Sequence, residues 1–406
     1  ATLFRMASEA GELEIMQWLL TQGWNLEWET YWVAIRKAQF HVIEWLQRGG
    51  WEIVPGTLAY AAREGRLNVL RWLRVRNCPW DEDTCTGAAK GGHLEILKWL
   101  QSEGCPWDED TCAGAAEGGH LDILRWLRSE GCPWDEFTCV RAAEGGNLEI
   151  LKWLRSKGCP WDEDTCTGAV EGGHLDVLEH AIGEGCEWNI GKLLAVAARK
   201  GHVHILSWLE SNGCLDVFES ESIWGPAIEE GHLHVLDWMN SHRLFSDGEG
   251  DWMLEVAVEC GSDRDVLDWL HKHFKLNFTR SFHRAAEVEK IEMIKWMISK
   301  GIIIENVGQY FRKGSLEACN YAAEEGDVKL LEFFTGRGLS WGMNTFFKAA
   351  QNGHLDCMKF MWAKEGKKRG RRFKKGKKRV QTLDKATKIA KQFGYDKMLV
   401  WLRGLI

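Results

Sequence analysis

Cysteine and histidine recur at a fixed spacing along this chain, and side chains of these two types could bind a metal ion. Cys85 and His93 return as Cys112 and His120, but Asn147 takes the histidine position in the next copy. Zinc requires four ligands that converge within about 2.0–2.3 Å, and proteins commonly supply them as close pairs such as C-x₂₋₄-C. The sequence contains no such pair. We therefore predict no metal and no cofactor, and we expect the cysteines to be small buried side chains.

The thirteen cysteines could instead form disulfides. They recur in register with an internal repeat, however, and equivalent residues of stacked helices lie about 8–10 Å apart. A disulfide requires Cα atoms within about 7 Å of each other. The pattern therefore favours free thiols in a reducing compartment, cytoplasmic or nuclear. No membrane span is predicted, and organelle targeting stays open because a segment could precede Ala1.

Acidic residues occupy a second fixed position of the repeat. A row of carboxylates in register could bind a basic partner, or it could only stabilise helix N-termini through the helix dipole and the exposed amides. The second interpretation is the simpler one. Acid–base catalysis is not indicated, because a regular exposed row lacks the enclosing cleft which that chemistry requires. We call this set the acidic strip: Asp81, Glu82, Asp83, Asp108, Glu109, Asp110, Asp135, Glu136, Asp162, Glu163 and Asp164.

One segment toward the C-terminal end is strongly basic. Residues 367–379 hold ten lysines and arginines and no acid, so the rest of the chain has a formal charge of −18 rather than −8. Such runs are typical of nuclear-import signals and of arms that bind RNA or DNA phosphates, and a solvated loop without a ligand is the alternative. The segment belongs to a predicted insertion, 364–380, between the last two repeats. We call it the basic arm, with these candidate contacts: Lys367, Lys368, Arg369, Arg371, Arg372, Phe373, Lys374, Lys375, Lys377, Lys378 and Arg379.

The sequence lacks the motifs of several common enzyme classes. It contains no G-x-x-x-x-G-K-[ST] phosphate loop, no G-x-S-x-G nucleophile motif, no H-E-x-x-H zinc motif and no G-x-G-x-x-G dinucleotide motif. We therefore predict a protein that is not an enzyme and that has no small-molecule substrate.

An internal repeat of 27 residues positions all of these groups. The segment that begins at Cys105 returns at 132 and 159, and a varied copy begins at 78. Self-similarity at a fixed period is typical of a solenoid, in which each repeat contacts only its neighbours. One position marks fourteen units: Trp18, Trp45, Trp72, Trp99, Trp126, Trp153, His180, Trp208, Trp238, Trp269, Trp296, Phe333, Phe360 and Trp401.

Each unit predicts two short helices. In the unit around Trp99, the first helix carries an alanine pair at 88–89, and the glycine pair at 91–92 makes the turn to the second helix. The second helix carries a wide apolar stripe and stops at Gly104. Asp81 is expected to cap the first helix.

Tryptophans form two columns in register. The column on the second helices, which includes Trp99 and Trp126, is predicted to lie in the core because it shares the apolar stripe. The other column lies in the short Cys-Pro-Trp-Asp link between repeats. It is expected to fill space between repeats, with a partly exposed binding stripe as the alternative: Trp80, Trp107, Trp134 and Trp161.

The repeat resembles the ankyrin repeat. The run A-A-K-G-G-H-L-E-I-L-K-W-L, residues 88–100, followed by Gly104, is similar to the ankyrin pattern A-A-x-x-G-H-L-E-V-V-K-L-L-L-x-x-G-A. The best matches span roughly residues 60–180, with weaker ones on both sides. The usual unit has 33 residues, and the six missing here fall where that family has its β-turn finger and its T-P-L-H. The chain is similar to the divergent arrays, rich in Trp and Cys, that are common in protists and large DNA viruses.

The resemblance implies an all-α, ankyrin-like solenoid of about 14 helix-turn-helix repeats with shortened β-turn fingers, forming a single array over residues 1–406. It implies a non-enzymatic scaffold or adaptor that binds one or more proteins through the concave face of the array. Two alternatives remain. The chain could be an accessory subunit of a nucleic-acid-containing assembly, anchored by the basic arm on RNA or DNA phosphates. It could also be the substrate-recruiting module of a larger enzyme such as a ubiquitin ligase.

Overall fold

The chain folds into helices throughout the part that the structure describes. This computed structural model describes residues 2–50, 56–214, 220–245, 248–287, 290–301, 317–336, 339, 341–367 and 377–405. Within these ranges there are 28 helices in fourteen pairs and no strand, so the predicted all-α repeat fold is confirmed. None of the described helices is long and apolar enough to cross a membrane.

The helices divide between two compact units, Ala1–Pro226 and Ala227–Ile406. The prediction of a single array over residues 1–406 stays a prediction. In each repeat the odd-numbered helix is the first and the even-numbered helix is the second. Unit 1 contains α1 (Thr2–Ala10), α2 (Leu13–Thr21), α3 (Trp28–Arg36), α4 (Phe40–Arg48), α5 (Thr57–Arg63), α6 (Leu67–Val75), α7 (Glu82–Lys90), α8 (Leu94–Ser102), α9 (Glu109–Glu117), α10 (Leu121–Ser129), α11 (Glu136–Glu144), α12 (Leu148–Ser156), α13 (Glu163–Gly172), α14 (Leu175–Gly183), α15 (Ile190–Lys200) and α16 (Val203–Ser211).

Helix α17 (Glu221–Glu229) spans the boundary between the units. Each aromatic or histidine position that the period marks lies on a second helix, as predicted. Unit 2 contains α18 (Leu233–Ser241), α19 (Glu249–Cys260), α20 (Arg264–His273), α21 (Phe278–Glu287), α22 (Ile291–Ser299), α23 (Glu317–Glu324), α24 (Val328–Gly336), α25 (Met343–Gln351), α26 (Leu355–Lys367), α27 (Lys377–Gln392) and α28 (Asp396–Arg403).

Helix α7 shows how the repeat sequence sets the ends of a first helix. Asp81 stands at the N-cap with extended backbone, and the Thr84 hydroxyl donates to its carboxylate at 3.4 Å. The helix ends at a glycine pair, where Gly92 adopts a φ of +81°. Glycine reaches this left-handed conformation without steric cost. The predicted N-cap position and glycine turn are therefore confirmed.

First helices of neighbouring repeats lie in close backbone contact. A Cβ atom added at Gly87 of α7 would lie 2.3 Å from the carbonyl oxygen of Ala59 in α5. No side chain fits there, so the small residues of the first helices are what allow the two backbones to approach. Cys85 and the alanine pair 88–89 fill the remaining space and are fully buried.

Second helices supply the larger apolar side chains. Ile96, Leu97 and Leu100 of α8 are buried, and the same positions are buried in α10 and α12. Burying one such side chain stabilises the fold by about 1.5–3 kcal/mol relative to leaving it in water. The core of unit 1 is thus a row of small first-helix residues packed on a row of Ile and Leu.

Turn residues tie each repeat to the repeat before it. The Nε2 atom of His93 donates to the carbonyl oxygen of Arg63, the last residue of α5, at 3.0 Å. Asn147 makes the equivalent contact through Nδ2, 3.0 Å from the carbonyl oxygen of Glu117 at the end of α9. These carbonyls belong to the last turn of a helix, which leaves them without an intrahelical partner. Asparagine therefore replaces histidine at 147 without loss of the hydrogen bond.

Candidate interaction surface

The acidic strip lies along the N-terminal ends of four consecutive first helices of unit 1. The N-cap aspartates Asp81, Asp108 and Asp135 are half-buried, while the acids that follow them are exposed. Because α7, α9, α11 and α13 all begin at the same place in the repeat, the exposed carboxylates line up in one row. The exposed members are Glu82, Asp83, Glu109, Asp110, Glu136, Asp162, Glu163 and Asp164.

The N-cap aspartates have a structural role of their own. The Asp162 carboxylate accepts a hydrogen bond from the backbone nitrogen of Asp164 at 3.0 Å. The backbone nitrogen of Asp108 donates to the Thr111 hydroxyl at 3.4 Å. Such contacts satisfy amides that the first turn of a helix leaves without a partner. These contacts support the simpler interpretation of the strip for Asp108 and Asp162, and the exposed acids of the first turn remain available to solvent.

The carboxylates of the strip influence each other across repeat boundaries. Burial raises the pKa of Asp108, and neighbouring carboxylates raise it further, including that of Glu82 in the preceding repeat. Burial also raises the pKa of Asp135, and Glu109 of the preceding repeat contributes in the same direction. The row is therefore one continuous region of negative potential, which a cation would stabilise.

A lysine of the following repeat pairs with one end of the strip. The Nζ atom of Lys192 lies 3.8 Å from the Glu163 carboxylate and donates a short hydrogen bond to Asp164. This pairing raises the pKa of Lys192, chiefly through the hydrogen bond to Asp164. Within the described residues, Lys192 supplies the ion pairs that the strip makes, so the strip's acids at the start of α7, α9 and α11 have no internal counter-ion. Lys192 shows how a partner's cation could bind to the strip.

Thiol hydrogen bonds hold the start of each first helix against the next repeat. The Cys132 thiol donates to the carbonyl oxygen of Asp108 at 3.3 Å, and Cys159 makes the same contact with Asp135, also at 3.3 Å. Cys112 is hydrogen-bonded to Cys132, and this bond, together with burial, raises the pKa of Cys112. Apart from Cys260, the cysteines are buried, as predicted, and none forms a disulfide. They fix the register of the strip.

The prediction that second-helix tryptophans lie in the core is wrong for the most regular repeats of unit 1. Trp99, Trp126 and Trp153 are half-buried, and Trp18 is exposed. Each of the three half-buried indoles contacts the link tryptophan of its own repeat and stays partly accessible to solvent. The column is therefore a partly solvent-accessible stripe.

In unit 2, two tryptophans at the same repeat position are buried. Trp269 and Trp296 are buried, and each indole nitrogen donates to an aspartate on the preceding second helix. Those bonds join Trp269 to Asp237 at 2.6 Å and Trp296 to Asp268 at 2.7 Å. A buried indole N–H needs such an acceptor. The core prediction is therefore confirmed for these two tryptophans.

The link tryptophans are half-buried, and arginines cover three of the four: Trp80, Trp134 and Trp161. The guanidinium of Arg128 lies 3.9 Å from the ring centroid of Trp134, and that of Arg155 lies 4.0 Å from the ring of Trp161. A cation over an indole face is attracted by the ring quadrupole. The rings therefore lie partly buried between repeats and partly at the surface, and the binding stripe stays a prediction. Sequence reasoning missed the arginine that stands six residues before three of these tryptophans, a spacing visible in the sequence; Gln101 takes that place before Trp107.

The structure does not test the basic arm. Helix α26 ends at Lys367 and helix α27 begins at Lys377. Residues 368–376 lie outside the described residues, and so do all side chains from 365 to 380, which include every predicted contact of the arm. The arm therefore stays a prediction, as does the insertion 364–380. Among the described side chains, no group of three or more His, Cys, Asp or Glu could hold a metal ion.

Comparison with known proteins gives similarity of fold without a family assignment. No protein family model matches the sequence, and no curated protein matches it. The human ASB11 ankyrin repeat domain has a TM-score of 0.31 and 17% identity, and the match covers 45% of this chain and 96% of that domain. The pentatricopeptide repeat protein PPR10 from maize has a TM-score of 0.30 and 14% identity, and covers 99% of this chain and 77% of its own.

PPR10 in complex with an 18-nt psaJ RNA element has a TM-score of 0.32 and 15% identity, with 99% of this chain and 68% of that chain covered. At such TM-scores these similarities add nothing about the function of this chain. The likeness to arrays of protists and large DNA viruses stays a prediction. By its own helices, turns and period, the chain is an ankyrin-like array of helix pairs.

Proposed function

We propose that the chain is a non-enzymatic protein–protein interaction scaffold, and that a basic partner binds along the first-helix side of unit 1. The single observation that supports this proposal is the row of exposed carboxylates repeated in register in four consecutive repeats. Lys192 pairs with one end of the row, while the exposed strip acids of α7, α9 and α11 have no internal counter-ion among the described residues. The exposed strip acids of α7, α9 and α11 are accessible to a ligand.

The spacing of the repeats defines the partner more closely. Neighbouring first helices lie about 8–10 Å apart, the usual distance between packed helices. An extended peptide advances about 3.3 Å per residue. A partner segment with lysine or arginine at every third residue would therefore place one cation opposite each repeat. The expected ligand is an extended basic segment of about ten residues, long enough to cover the four repeats at that rise.

Peptide binding tests the proposal. The probe is a fluorescein-labelled peptide with lysine at every third position, and a peptide with the same composition but clustered lysines serves as the spacing control. Neutralising four exposed acids of the strip, with Glu82→Gln, Asp83→Asn, Glu109→Gln and Asp110→Asn, should weaken binding about tenfold or more, because each exposed ion pair contributes about 0.2–1 kcal/mol. The N-cap aspartates are left in place, so the helix ends stay capped.

A matched variant removes four exposed acids from second helices instead, with Glu95→Gln, Asp122→Asn, Glu149→Gln and Asp176→Asn. It should bind the peptide as the wild type does, and the wild-type affinity should fall with added salt. Equal loss in both variants would mean that net charge alone attracts the peptide. No binding by the wild type at low salt would leave the strip with its role at helix ends and overturn the proposal.

Nucleic-acid binding through the basic arm is the second candidate, and its support is the ten basic residues within 367–379. Each phosphate that the arm neutralises should add about 0.7–0.9 to the slope of log affinity against log salt. Replacing the arm's basic residues with serine should weaken binding to all sequences alike, and Phe373→Ala should act mainly on single strands, where stacking is available. Retention of RNA and DNA by the serine variant would exclude the arm. No described residue bears on the substrate-recruiting alternative.

A further inference from the structure

Four pairs of thiols lie in contact inside unit 1. Each pair combines the cysteine of a first helix with the cysteine of the link before the next repeat, twenty residues further along the chain. In every pair the first-helix thiol donates a hydrogen bond to the link thiol. We call them the thiol pairs: Cys85 with Cys105, Cys112 with Cys132, Cys139 with Cys159, and Cys166 with Cys186.

The period of the repeat does not exclude a disulfide within a thiol pair. Equivalent cysteines of neighbouring repeats are expected about 8–10 Å apart, which is too far for a disulfide. The two members of a thiol pair occupy different positions of the repeat, so that distance does not apply to them. A disulfide requires sulfur atoms about 2.05 Å apart. Two sulfurs that already share a hydrogen bond reach this distance through a small movement of their side chains.

The link thiols are held from two sides. Cys105 donates to the carbonyl oxygen of Asp81 at 3.5 Å, and Cys186 donates to that of Asp162 at 3.1 Å. Each link sulfur therefore lies between this carbonyl and the first-helix thiol that donates to it. Because the fold keeps the two sulfurs of a pair in contact, a bond between them needs no encounter of distant groups, and such proximity strongly favours an intramolecular step.

The two thiols of a pair differ in how readily they lose a proton. The hydrogen bond that Cys166 shares with Cys186 raises the pKa of Cys166 and lowers the pKa of Cys186. The Arg155 guanidinium lowers the pKa of Cys186 further. The thiolate is the nucleophilic form of a cysteine, so the link cysteine is the one that reacts first. Exposure agrees with this order, since Cys186 is 3% exposed and Cys166 is fully buried.

We propose that the thiol pairs are oxidation sites, at which hydrogen peroxide converts each pair into a disulfide. The link thiolate attacks one oxygen of the peroxide, which gives a sulfenic acid and releases hydroxide, and the hydroxide takes up the proton that the link thiol lost. The first-helix thiol then attacks the sulfenic sulfur, the S–S bond forms and water leaves. In all, two thiols are oxidised to one disulfide while one peroxide is reduced to two waters.

Two other link cysteines show what the pairing requires. Cys78 and Cys214 occupy the link position, but the corresponding place of the first helix holds a leucine in each case. Leu58 stands one period before Cys85, and Leu193 stands one period after Cys166. Cys78 and Cys214 are buried like the link cysteines of the thiol pairs. They therefore serve as internal controls, because burial at the link position is present and the first-helix thiol is not.

The disulfides would change how the repeats open. A repeat array opens locally because each repeat contacts only its neighbours, and such openings admit a small peroxide to the buried pairs. Once formed, the disulfides join the first helices α7, α9, α11 and α13 to the links that follow their repeats, and the closed loops oppose further opening. Oxidation therefore reinforces this stretch of unit 1. The proposal does not depend on the binding of a basic partner to the acidic strip.

Peptide mapping after oxidation tests the proposal. Cys260→Ser is the parent protein, since it lacks the exposed thiol. After treatment with hydrogen peroxide, four disulfides should form, and the thiols that iodoacetamide alkylates in denaturant should fall by eight. Trypsin cuts after lysine and arginine, and without a reductant the segments 77–90, 99–125, 129–141 and 158–192 should stay joined in that order. Dithiothreitol should separate them.

Two variants of the parent test the pairing. Cys112→Ser should form three disulfides instead of four and should separate segment 99–125 from segment 129–141, because Cys132 then has no thiol partner. Cys214→Ser removes a link cysteine outside the pairs and should form four disulfides, as the parent does. In the oxidised parent, amides of α9 and α11 should exchange about tenfold or more slowly than in the reduced parent.

Three results would count against the proposal. Loss of thiols without these disulfides would overturn it, and so would disulfides that join Cys78 or Cys214 in comparable yield. A parent protein whose thiol pairs stay reduced throughout the treatment would overturn it as well. Unchanged amide exchange after the disulfides have formed would contradict the reinforcement of the repeats.

Discussion

Trp99 contacts Trp80 edge to face, with ring centroids 6.0 Å apart and an angle of 77° between the planes. The next two repeats reproduce this geometry, with centroid distances of 5.9 Å and 5.8 Å. Each pair joins the short link of a repeat to its own second helix. The link that replaces the ankyrin finger is therefore fixed by an aromatic contact and needs no strand pairing.

Mutating this pair should reveal a coupling. Because Trp99 is half-buried, Trp99→Ala should lower the free energy of unfolding by about 1–3 kcal/mol, less than the 3–5 kcal/mol typical of a fully buried tryptophan. Trp80→Ala and the double variant complete a cycle. The coupling energy should be about 0.5–1.5 kcal/mol, the range for aromatic pairs. Urea denaturation measures it, and additive effects would show that the two rings do not stabilise each other.

The contact between turns should tolerate one specific replacement. His93→Ala removes the hydrogen bond to the carbonyl oxygen of Arg63 and should cost about 0.5–1.5 kcal/mol of stability. His93→Asn should cost less, because Asn147 makes the same bond in its own repeat. Thermal or urea unfolding distinguishes the two variants. If asparagine proves as destabilising as alanine, packing of the imidazole ring, rather than its hydrogen bond, is what matters at this position.

The thiols should differ sharply in reactivity. Cys260 is exposed, and the other cysteines are buried. A chromogenic disulfide reagent should therefore modify one thiol in the folded protein and the rest only after unfolding. Burial raises the pKa of Cys260 somewhat, so its reaction should accelerate as the pH rises from 7 to 9. Cys260→Ser should abolish the early reaction, and rapid labelling in that variant would show that the buried thiols open to solvent.

Neutralising Asp108 should stabilise the protein at neutral pH. Burial and neighbouring carboxylates raise the pKa of Asp108 in the folded state, so the folded protein binds its proton more readily than the unfolded chain does. Stability from this group is then greatest below the unfolded pKa and is lost as the pH rises through the folded pKa. Asp108→Asn should give a small gain at pH 7 that shrinks toward pH 4, because asparagine is an equally good N-cap.

Urea unfolding at several pH values measures this effect. Glu95→Gln is the matched control, since it removes an exposed carboxylate of the second helix α8. Its change in stability should not follow the same course with pH. A loss of stability in Asp108→Asn at neutral pH would mean that the charge at the helix N-terminus outweighs the cost of desolvation.

Much of this fold could be predicted from the sequence, because a period of 27 residues repeats every local signal. The second helices fall on the marked aromatic positions, and Gly92 takes the left-handed conformation that the turn requires. Predictions from periodicity failed for Trp99, since the period shows that positions are equivalent and does not show which side of the array they face. The exposure of Trp99 depends on the side chains packed against it, such as Trp80 and Arg71, which the period does not specify.

Long-range contacts could not be predicted from the sequence, for a different reason. The thiol of Cys132 bonds the carbonyl oxygen of Asp108 across 24 residues, and nothing in either residue type specifies that pairing. Differences between repeats, by contrast, were visible in the sequence. Met6 stands three periods before Gly87, and Trp24 stands three periods before Cys105. Large side chains at positions that are small elsewhere distinguish the first repeat from the others.

The contact between His93 and Arg63 also orders events during synthesis. His93, which donates to the last carbonyl of α5, is synthesised thirty residues after Arg63, which carries that carbonyl. As the chain leaves the ribosome, the first helix of each repeat therefore stays incompletely bonded until the turn of the next repeat has emerged. The turn of each newly made repeat then supplies the hydrogen bond that the end of the preceding first helix lacks. Helix ends are therefore completed in order from the N-terminal side, one repeat behind translation.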